Sequence, residues 1–217
     1  MKFAVLGTGV VGRTIAAKLV SLGHDVKMGS RRADHPDALE WASSAGERAQ
    51  VGTFSDAARF GEIVVNATNG MATPDVLAAA GAPNLSGKIL VDIANALDFS
   101  QGFPPSLSIL NTDSLGEQVQ AAYPDTRVVK ALNTMSAPVM VDPSLVPGHH
   151  SVFVSGNDPA ARAEVGRLLQ SFGWPTEDII ELGDITTARG TEMYLPLWLR
   201  LFGVTGTPHF NINVAHG

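Results

Sequence analysis

The residues best suited to chemistry form a glycine turn near the N-terminus, Gly7-Thr8-Gly9-Val10-Val11-Gly12. Between a strand and a helix, a G-x-G-x-x-G string leaves bare backbone for an anion. The first glycine permits a tight turn, the second lets a pyrophosphate approach the main chain, and the third lets helix and sheet pack closely. The helix that follows presents free amides and a partial positive charge. At the end of the second strand, about 20 residues on, NAD-binding folds of this type place an Asp or Glu for the ribose 2′-hydroxyl. This chain has Gly29-Ser30-Arg31-Arg32 there, with no carboxylate at that point to repel a 2′-phosphate. Ser30 can donate one hydrogen bond, and Arg31 can pair with phosphate oxygens and stack on adenine. Arg32 adds charge or faces solvent. The two motifs predict a site for NADP(H), with Gly7, Thr8, Gly9, Val10, Val11 and Gly12 at the pyrophosphate and Ser30, Arg31 and Arg32 at the 2′-phosphate. The competing readings are a packing turn without ligand and a basic surface loop.

The turn needs flanking elements to hold it. Lys2–Leu6 is a β-rich run, Val11, Ile15, Leu19 and Leu22 recur at helical spacing, and Asp25–Met28 reads as a second strand. Together these make one βαβ unit with parallel pairing. The alternation continues with a helix at Pro36–Ser44 and a strand at Gln50–Phe54. A short helix at Ser55–Phe60 is expected to be capped by Ser55. Strands follow at Glu62–Asn66, Lys88–Asp92 and Arg127–Ala131, with helices at Thr73–Ala80 and Ser114–Ala122. The prediction is an α/β fold, a doubly wound Rossmann-type parallel sheet covered on both faces.

Beyond Asn133 the expectations are a strand at Ser151–Ser155 and a helix at Pro159–Phe172. A long apolar helix at Thr186–Phe202, kinked at Pro196, and a last edge strand through Phe210, Ile212 and Val214 complete the reading. Residues 1–132 are expected to form the NADP-binding domain. Residues 133–217 are expected to form a small helical and strand extension that completes the second-substrate site and carries a dimer interface.

Several other residues invite a chemical role. Asn66-Ala67-Thr68-Asn69-Gly70 follows the fourth strand at the carboxyl edge, where open α/β sheets bind ligands; a plain polar turn is the alternative. Asp92-Ile93-Ala94-Asn95 follows the fifth strand in the same way, with Asp92 there to orient a loop, meet substrate or serve structure alone. Lys130 lies inside the apolar sixth strand, where a snorkelling lysine is commoner than a catalytic one. His149-His150 suggests a metal, but neighbours on a strand point to opposite faces and no third ligand is apparent. A surface loop and no metal site are expected there. His209 and His216 have no nameable partner. Leu195, Leu197, Trp198, Leu199, Leu201 and Phe202 make the C-terminal helix apolar on most sides. Such a helix buries against a second copy in a homodimer, or within a monomeric core.

Composition narrows the classes. The chain has 217 residues, a formal net charge of −6 and no cysteine. A disulfide framework, a thiolate metal site and a cysteine nucleophile are excluded. The negative balance argues against nucleic acid as a partner. The apolar runs are too short to cross a bilayer, and no signal-peptide pattern opens the chain. A cytoplasmic protein with no membrane partner is expected.

At G-T-G-V-V-G followed by V-K-M-G-S-R-R, the chain resembles the NADPH-dependent reductases of the deazaflavin coenzyme F420, whose second strand runs into a similar G-S-R-R. The segment Ala131-Leu132-Asn133-Thr134-Met135-Ser136-Ala137 resembles a family turn of small residues beside the nicotinamide. Arg189, Glu192 and Pro196 lie in a kinked C-terminal helix of the family type. The resemblance implies direct hydride transfer between nicotinamide C4 and deazaflavin C5, with the protein stacking two rings and excluding water. It further implies that Ala67, Thr68, Asn69 and Ala137 line the nicotinamide side and that Asn133 and Thr134 act at the reacting centre. Asn133 stands where the family often has histidine, and asparagine does not titrate. A flavin-like molecule is therefore an alternative small-molecule redox partner. Two further readings are a reductase of small imine or keto substrates, whose relatives usually add a large helical domain, and a non-enzymatic NADP(H)-binding redox sensor.

Overall fold

The computed structural model describes residues 1–215. Its strands are β1 (Lys2–Leu6), β2 (Asp25–Ser30), β3 (Ala49–Thr53), β4 (Ile63–Asn66), β5 (Ile89–Asp92), β6 (Leu97–Asp98), β7 (Ser106–Leu107), β8 (Arg127–Ala131), β9 (Val152–Gly156) and β10 (Ile179–Gly183). The α-helices are α1 (Val10–Ser21), α2 (Pro36–Ala45), α3 (Phe54–Phe60), α4 (Thr73–Ala80), α5 (Ala82–Leu85), α6 (Leu115–Ala122), α7 (Ala137–Val141), α8 (Pro159–Phe172), α9 (Ala188–Met193) and α10 (Leu195–Thr205).

One eight-stranded sheet runs in the order β10-β9-β8-β5-β4-β1-β2-β3, and β6 and β7 form a small antiparallel ribbon. From β3 through β8 every pairing is parallel; β9 then reverses against β8, and β10 runs parallel to β9. This is the doubly wound α/β architecture read from the strand-helix alternation. Side chains alternate across it. Phe3 and Val5 enter one apolar layer with Ile15 and Leu19 of α1, while Ala4 and Leu6 enter the other with Leu77 and Leu90.

The strand order reverses at β1, so a crevice opens beyond its carboxyl end. The register aligns the strand ends that carry the motifs. Leu6 lies opposite both Gly29 and Asn66, Asn66 opposite Asp92, Asp92 opposite Lys130, and Lys130 opposite Ser155. One row across the sheet thus brings the glycine turn, the G-S-R-R segment and the Asn66, Asp92 and Lys130 positions to a single edge.

Three local expectations are corrected. The cap of α3 is Thr53, not Ser55. The Thr53 hydroxyl accepts from Asp56 N at 3.1 Å, and the Asp56 carboxylate accepts from Thr53 N at 3.1 Å. This reciprocal pair needs an acidic residue three positions after the cap, which Thr53 has. The helix expected over Thr186–Phe202 is two helices. α9 ends at Met193 and Pro196 sits in the first turn of α10, where a missing amide is harmless. Phe210, Ile212 and Val214 form no strand. Their neighbour β9 already has β8 on one side and β10 on the other, so it offers no free edge. The tail is tied instead by Ser151 N donating to the Ile212 carbonyl at 2.8 Å and by Phe210 stacking on Trp198.

The histidine pair divides. His149 is exposed, but His150 is buried edge-on to Trp174, with Nε2 3.0 Å from the Pro143 carbonyl and Nδ1 3.0 Å from Asn211 Nδ2. The surface expectation therefore fails for His150. Among the described residues no group of His, Cys, Asp and Glu is placed to hold a metal ion, and no helix is long and apolar enough to cross a membrane. His209 is exposed, and His216 lies outside the described residues.

Candidate functional site

The glycines of the turn answer to different constraints. Gly7 has φ +117°, and a Cβ there would lie 2.6 Å from the Ala67 carbonyl oxygen. A Cβ on Gly12 would lie 2.2 Å from the Gly7 carbonyl oxygen. A Cβ on Gly9 would meet nothing within 4 Å, so that glycine faces open space. No side chain caps α1, which leaves the first-turn amides of Val10, Val11 and Gly12 to an outside acceptor. Arg13 was not singled out in the sequence. Its guanidinium donates to the Thr8 carbonyl at 2.8 Å and to Asp37 at 3.1 Å, bracing the turn against α2.

A cavity of about 590 Å³ extends from Gly7, Thr8 and Gly9 past Ser30 and Arg31 toward Phe54 and Val76. Ser30 is buried at the end of β2, and its hydroxyl donates to the Arg32 carbonyl and accepts from Arg32 N. Arg31 borders the cavity, and among the described residues no carboxylate pairs with it. Arg32 is not in the lining; it is exposed and pairs with Asp34 at 3.1 Å. One carboxylate, Asp75 of α4, borders the cavity from across the crevice strand ends.

A second cavity of about 240 Å³ shares Ala67, Thr68 and Asn69 with the first. Its remaining walls are mostly apolar, with Met135, Leu195 and Trp198 among them, and carry two amides, Asn95 and Asn133. These amides clasp each other: Asn95 Nδ2 donates to the Asn133 carbonyl at 2.9 Å, and Asn133 Nδ2 donates to Asn95 Oδ1 at 3.0 Å. The Trp198 ring is stacked on Phe202 and Phe210, at centroid distances of 5.6 and 5.3 Å. Thr134 is not brought to this cavity. It borders a separate apolar one beside Tyr194, and its buried hydroxyl has no partner. Ala137 is buried at the start of α7 and lines neither cavity, while Val10 is exposed.

Beneath the shared turn runs a buried polar chain. Thr68 Oγ1 donates to Asn66 Oδ1 at 2.7 Å, and Asn66 Nδ2 donates to Asp92 Oδ1 at 2.8 Å. Lys130 Nζ donates to Asp92 Oδ2 at 2.8 Å and to the Ala94 carbonyl at 2.5 Å, and sits 2.7 Å from Glu192 Oε1. Glu192 in turn accepts from the amides of Leu115 and Gly116 at 2.7 and 3.0 Å. Lys130 is 1% exposed, so the snorkelling expectation is overturned: no solvent lies within reach of its ammonium. Burial disfavours the charge, but the Asp92 and Glu192 carboxylates and their hydrogen bonds outweigh it and hold Lys130 above the ordinary lysine value.

Residues 2–96 match the family described as NADP oxidoreductase coenzyme F420-dependent. A crystal structure of a protein from Arthrobacter sp. FB24, provisionally named an F420-dependent NADP-reductase, is 55% identical, with 100% of each chain covered and a TM-score of 0.95. This chain belongs to the coenzyme F420-dependent NADP oxidoreductase family. By family it is an NADP-dependent oxidoreductase. Metalloreductase STEAP3 of Rattus norvegicus is 26% identical over 202 residues, which are 91% of this chain and 38% of that protein. The chain thus spans well under half the length of that curated relative. An imine reductase from Streptomyces aurantiacus shares the fold, at 18% identity and a TM-score of 0.64 over 95% of this chain and 65% of its own.

Within this family member, Arg189 is not at the cavities. It pairs with Glu117, Nε to Oε2 at 2.8 Å, and its hydrogen bond holds the Glu117 carboxyl below the usual range. The pair fastens α9 to α6. Asn95 and Trp198 were legible only as members of a D-I-A-N string and an apolar run. Asn95 carried the signal of a position just past β5 at the carboxyl edge; Trp198 carried none, because its place depends on how α10 folds back over the sheet edge.

Proposed function

We propose that this chain transfers a hydride between NADP(H) lying across the glycine turn and a flat two-electron acceptor of the deazaflavin or flavin class in the smaller cavity. The supporting observation is that the two cavities share one wall, Ala67-Thr68-Asn69, so a ring at that wall faces both. When bound, NADPH would supply the hydride from nicotinamide C4, and the acceptor would take it at the central ring position, C5 of a deazaflavin or N5 of a flavin, together with one proton from solvent. The residues present fit that cofactor. Open space above Gly9 and the uncapped first turn of α1 receive a pyrophosphate, and Arg31 with no carboxylate partner receives a 2′-phosphate.

In this reading the backbone of Gly7, Thr8, Gly9, Val10, Val11 and Gly12 holds the pyrophosphate. Ser30 turns its hydroxyl from the Arg32 carbonyl to the phosphate, and Arg32, tied to Asp34, adds only field. Asn133 offers an amide to the acceptor ring and moves no proton, while Met135, Leu195 and Trp198 exclude water. Thr134 and Ala137 act from behind the cavity walls. The full-length likeness to a protein named for F420 favours a deazaflavin over a free flavin. Mixing the protein with NADPH and oxidised coenzyme F420 is expected to bleach the deazaflavin absorbance. No turnover with the deazaflavin, FMN or riboflavin would defeat the proposal.

The same reading includes a homodimer through α10. Leu197 and Val204 remain 55% and 87% exposed on that helix, next to the cavity wall formed by Leu195 and Trp198. Sedimentation at micromolar concentration is expected to show a dimer, and a monomer alone would overturn it.

A further inference from the structure

The proposed reaction needs no general base, yet the chain buries a lysine between two carboxylates under the site. Replacing such a group with apolar side chains is often neutral or favourable for stability, so its presence calls for another reason. The connections of Lys130 supply one. Through Asp92 and Asn66 it reaches the Thr68 turn that both cavities share. Through the Ala94 carbonyl it holds the turn that carries Asn95. Through Glu192 it holds the last turn of α9, from which the chain passes into Leu195 and Trp198 of α10.

Three walls of the smaller cavity, the Thr68 turn, the Ala94-Asn95 turn and the Leu195–Trp198 stretch, are therefore tied to one ammonium, while Val11, Met135 and Met140 are not. The larger cavity meets this network through its shared turn and through Thr73 at the start of α4, to which Asn66 Nδ2 also donates at 3.0 Å; Ser30, Arg31 and Phe54 stand clear of it. The strands alone do not set the spacing of these walls. Ala94 and Asn95 lie beyond β5, and α9 lies far along the chain from both; Lys130 is a direct side-chain tie between them.

We propose that Lys130 is a positioning residue: with Asp92 and Glu192 it sets the separation of the acceptor-cavity walls without touching acceptor or cofactor. The inference rests on the reading of the smaller cavity as the acceptor site. It separates two properties that a merely stabilising ion cluster would move together, stability and acceptor recognition.

The test compares Lys130→Met, Glu192→Gln and the double variant Lys130→Met/Glu192→Met. Lys130→Met strands two carboxylates and is expected to be badly destabilised or not to fold. Glu192→Gln keeps volume and acceptor oxygen, and the double variant removes the unpaired charge at that position. Both are expected to fold. In both, KM for coenzyme F420 should rise at least about tenfold while the Kd for NADPH stays within about twofold, roughly the span that separates loss of one coupling from none. Deuterium uptake should rise in residues 93–98 and 188–205 and stay unchanged in 36–60.

An acceptor KM that returns to the wild-type value in the double variant along with its melting temperature would overturn the proposal. So would exchange that rises uniformly along the chain, or failure of both Glu192 variants to fold, since the cluster would then serve stability. Failure of the wild type itself to reduce coenzyme F420 would count against the acceptor reading, and the exchange pattern would then decide the role of Lys130.

Discussion

Arg31→Ala is expected to weaken NADPH binding about ten- to a hundredfold and to leave NADH binding nearly unchanged. The magnitude follows from losing hydrogen bonds to a charged group, ~1.5–3 kcal/mol, at about 1.4 kcal/mol per tenfold. The selectivity follows from geometry. Arg31 borders the larger cavity without a carboxylate partner, so its charge is available to an incoming phosphate. Arg32 cannot replace it, because it faces solvent and is held by Asp34. NADH lacks the 2′-phosphate and gives Arg31 only a stacking surface, so the ratio of the two affinities should collapse toward one. Titration calorimetry with both nucleotides reads the outcome. Equal losses for NADPH and NADH would mean that Arg31 supports the adenine and that the discriminating phosphate site lies elsewhere. The Asp75 carboxylate across the cavity makes the point sharper, since without Arg31 it would be the charge left at that wall.

The second large effect divides two glycines of one motif. Gly9→Ala should fold almost normally, at a cost under about 1 kcal/mol for an alanine at a helix N-cap, and should lose NADPH affinity at least about a hundredfold. Its backbone, φ −71° and ψ −177°, is open to alanine, and the added methyl meets no protein atom. The methyl would instead occupy the space through which a pyrophosphate approaches the amides of α1. Gly12→Ala should fail differently, with a stability loss of ~3 kcal/mol or more from overpacking. Its Cβ would sit 2.2 Å from the Gly7 carbonyl oxygen, and Gly7 has no room to retreat because it is packed against Ala67. Thermal melts with and without NADPH distinguish the two. The melting temperature of Gly9→Ala should match the wild type without cofactor and should not rise when cofactor is added. A normal NADPH response in Gly9→Ala would show that the nucleotide does not cross the turn.

The parts of the site that come from contiguous residues were readable from the sequence. A glycine turn is specified by local sterics, and its place between β1 and α1 follows from periodicities of two and 3.6 residues over short spans. The G-S-R-R segment was readable for the same reason, since the end of β2 is the position that such folds present to a ribose. The same local information misjudged Lys130. An ionisable residue in an apolar strand has two outcomes, snorkelling or pairing, and the choice depends on Glu192, which lies beyond two further strands in the chain. Thr134 shows the complementary limit. It adjoins Asn133 in sequence, but the chain turns there, with Leu132 at φ +63°, and the two side chains border different cavities. A neighbouring pair of histidines reads as surface because the partners of His150, the Pro143 carbonyl and the donating Asn211 amide, cannot be seen from it.

By itself the sequence determined the α/β sheet, the glycine turn between β1 and α1 and the cation at the end of β2, because each depends on backbone conformation and spacing within a few residues. Only the tertiary structure decided which side chains meet over the crevice. The register brings Asn66, Asp92 and Lys130 into one row, and the return of α9 and α10 over the sheet edge supplies Glu192 and Trp198. Those contacts join residues distant in the chain, and packing and buried charge select them only once the sheet has formed.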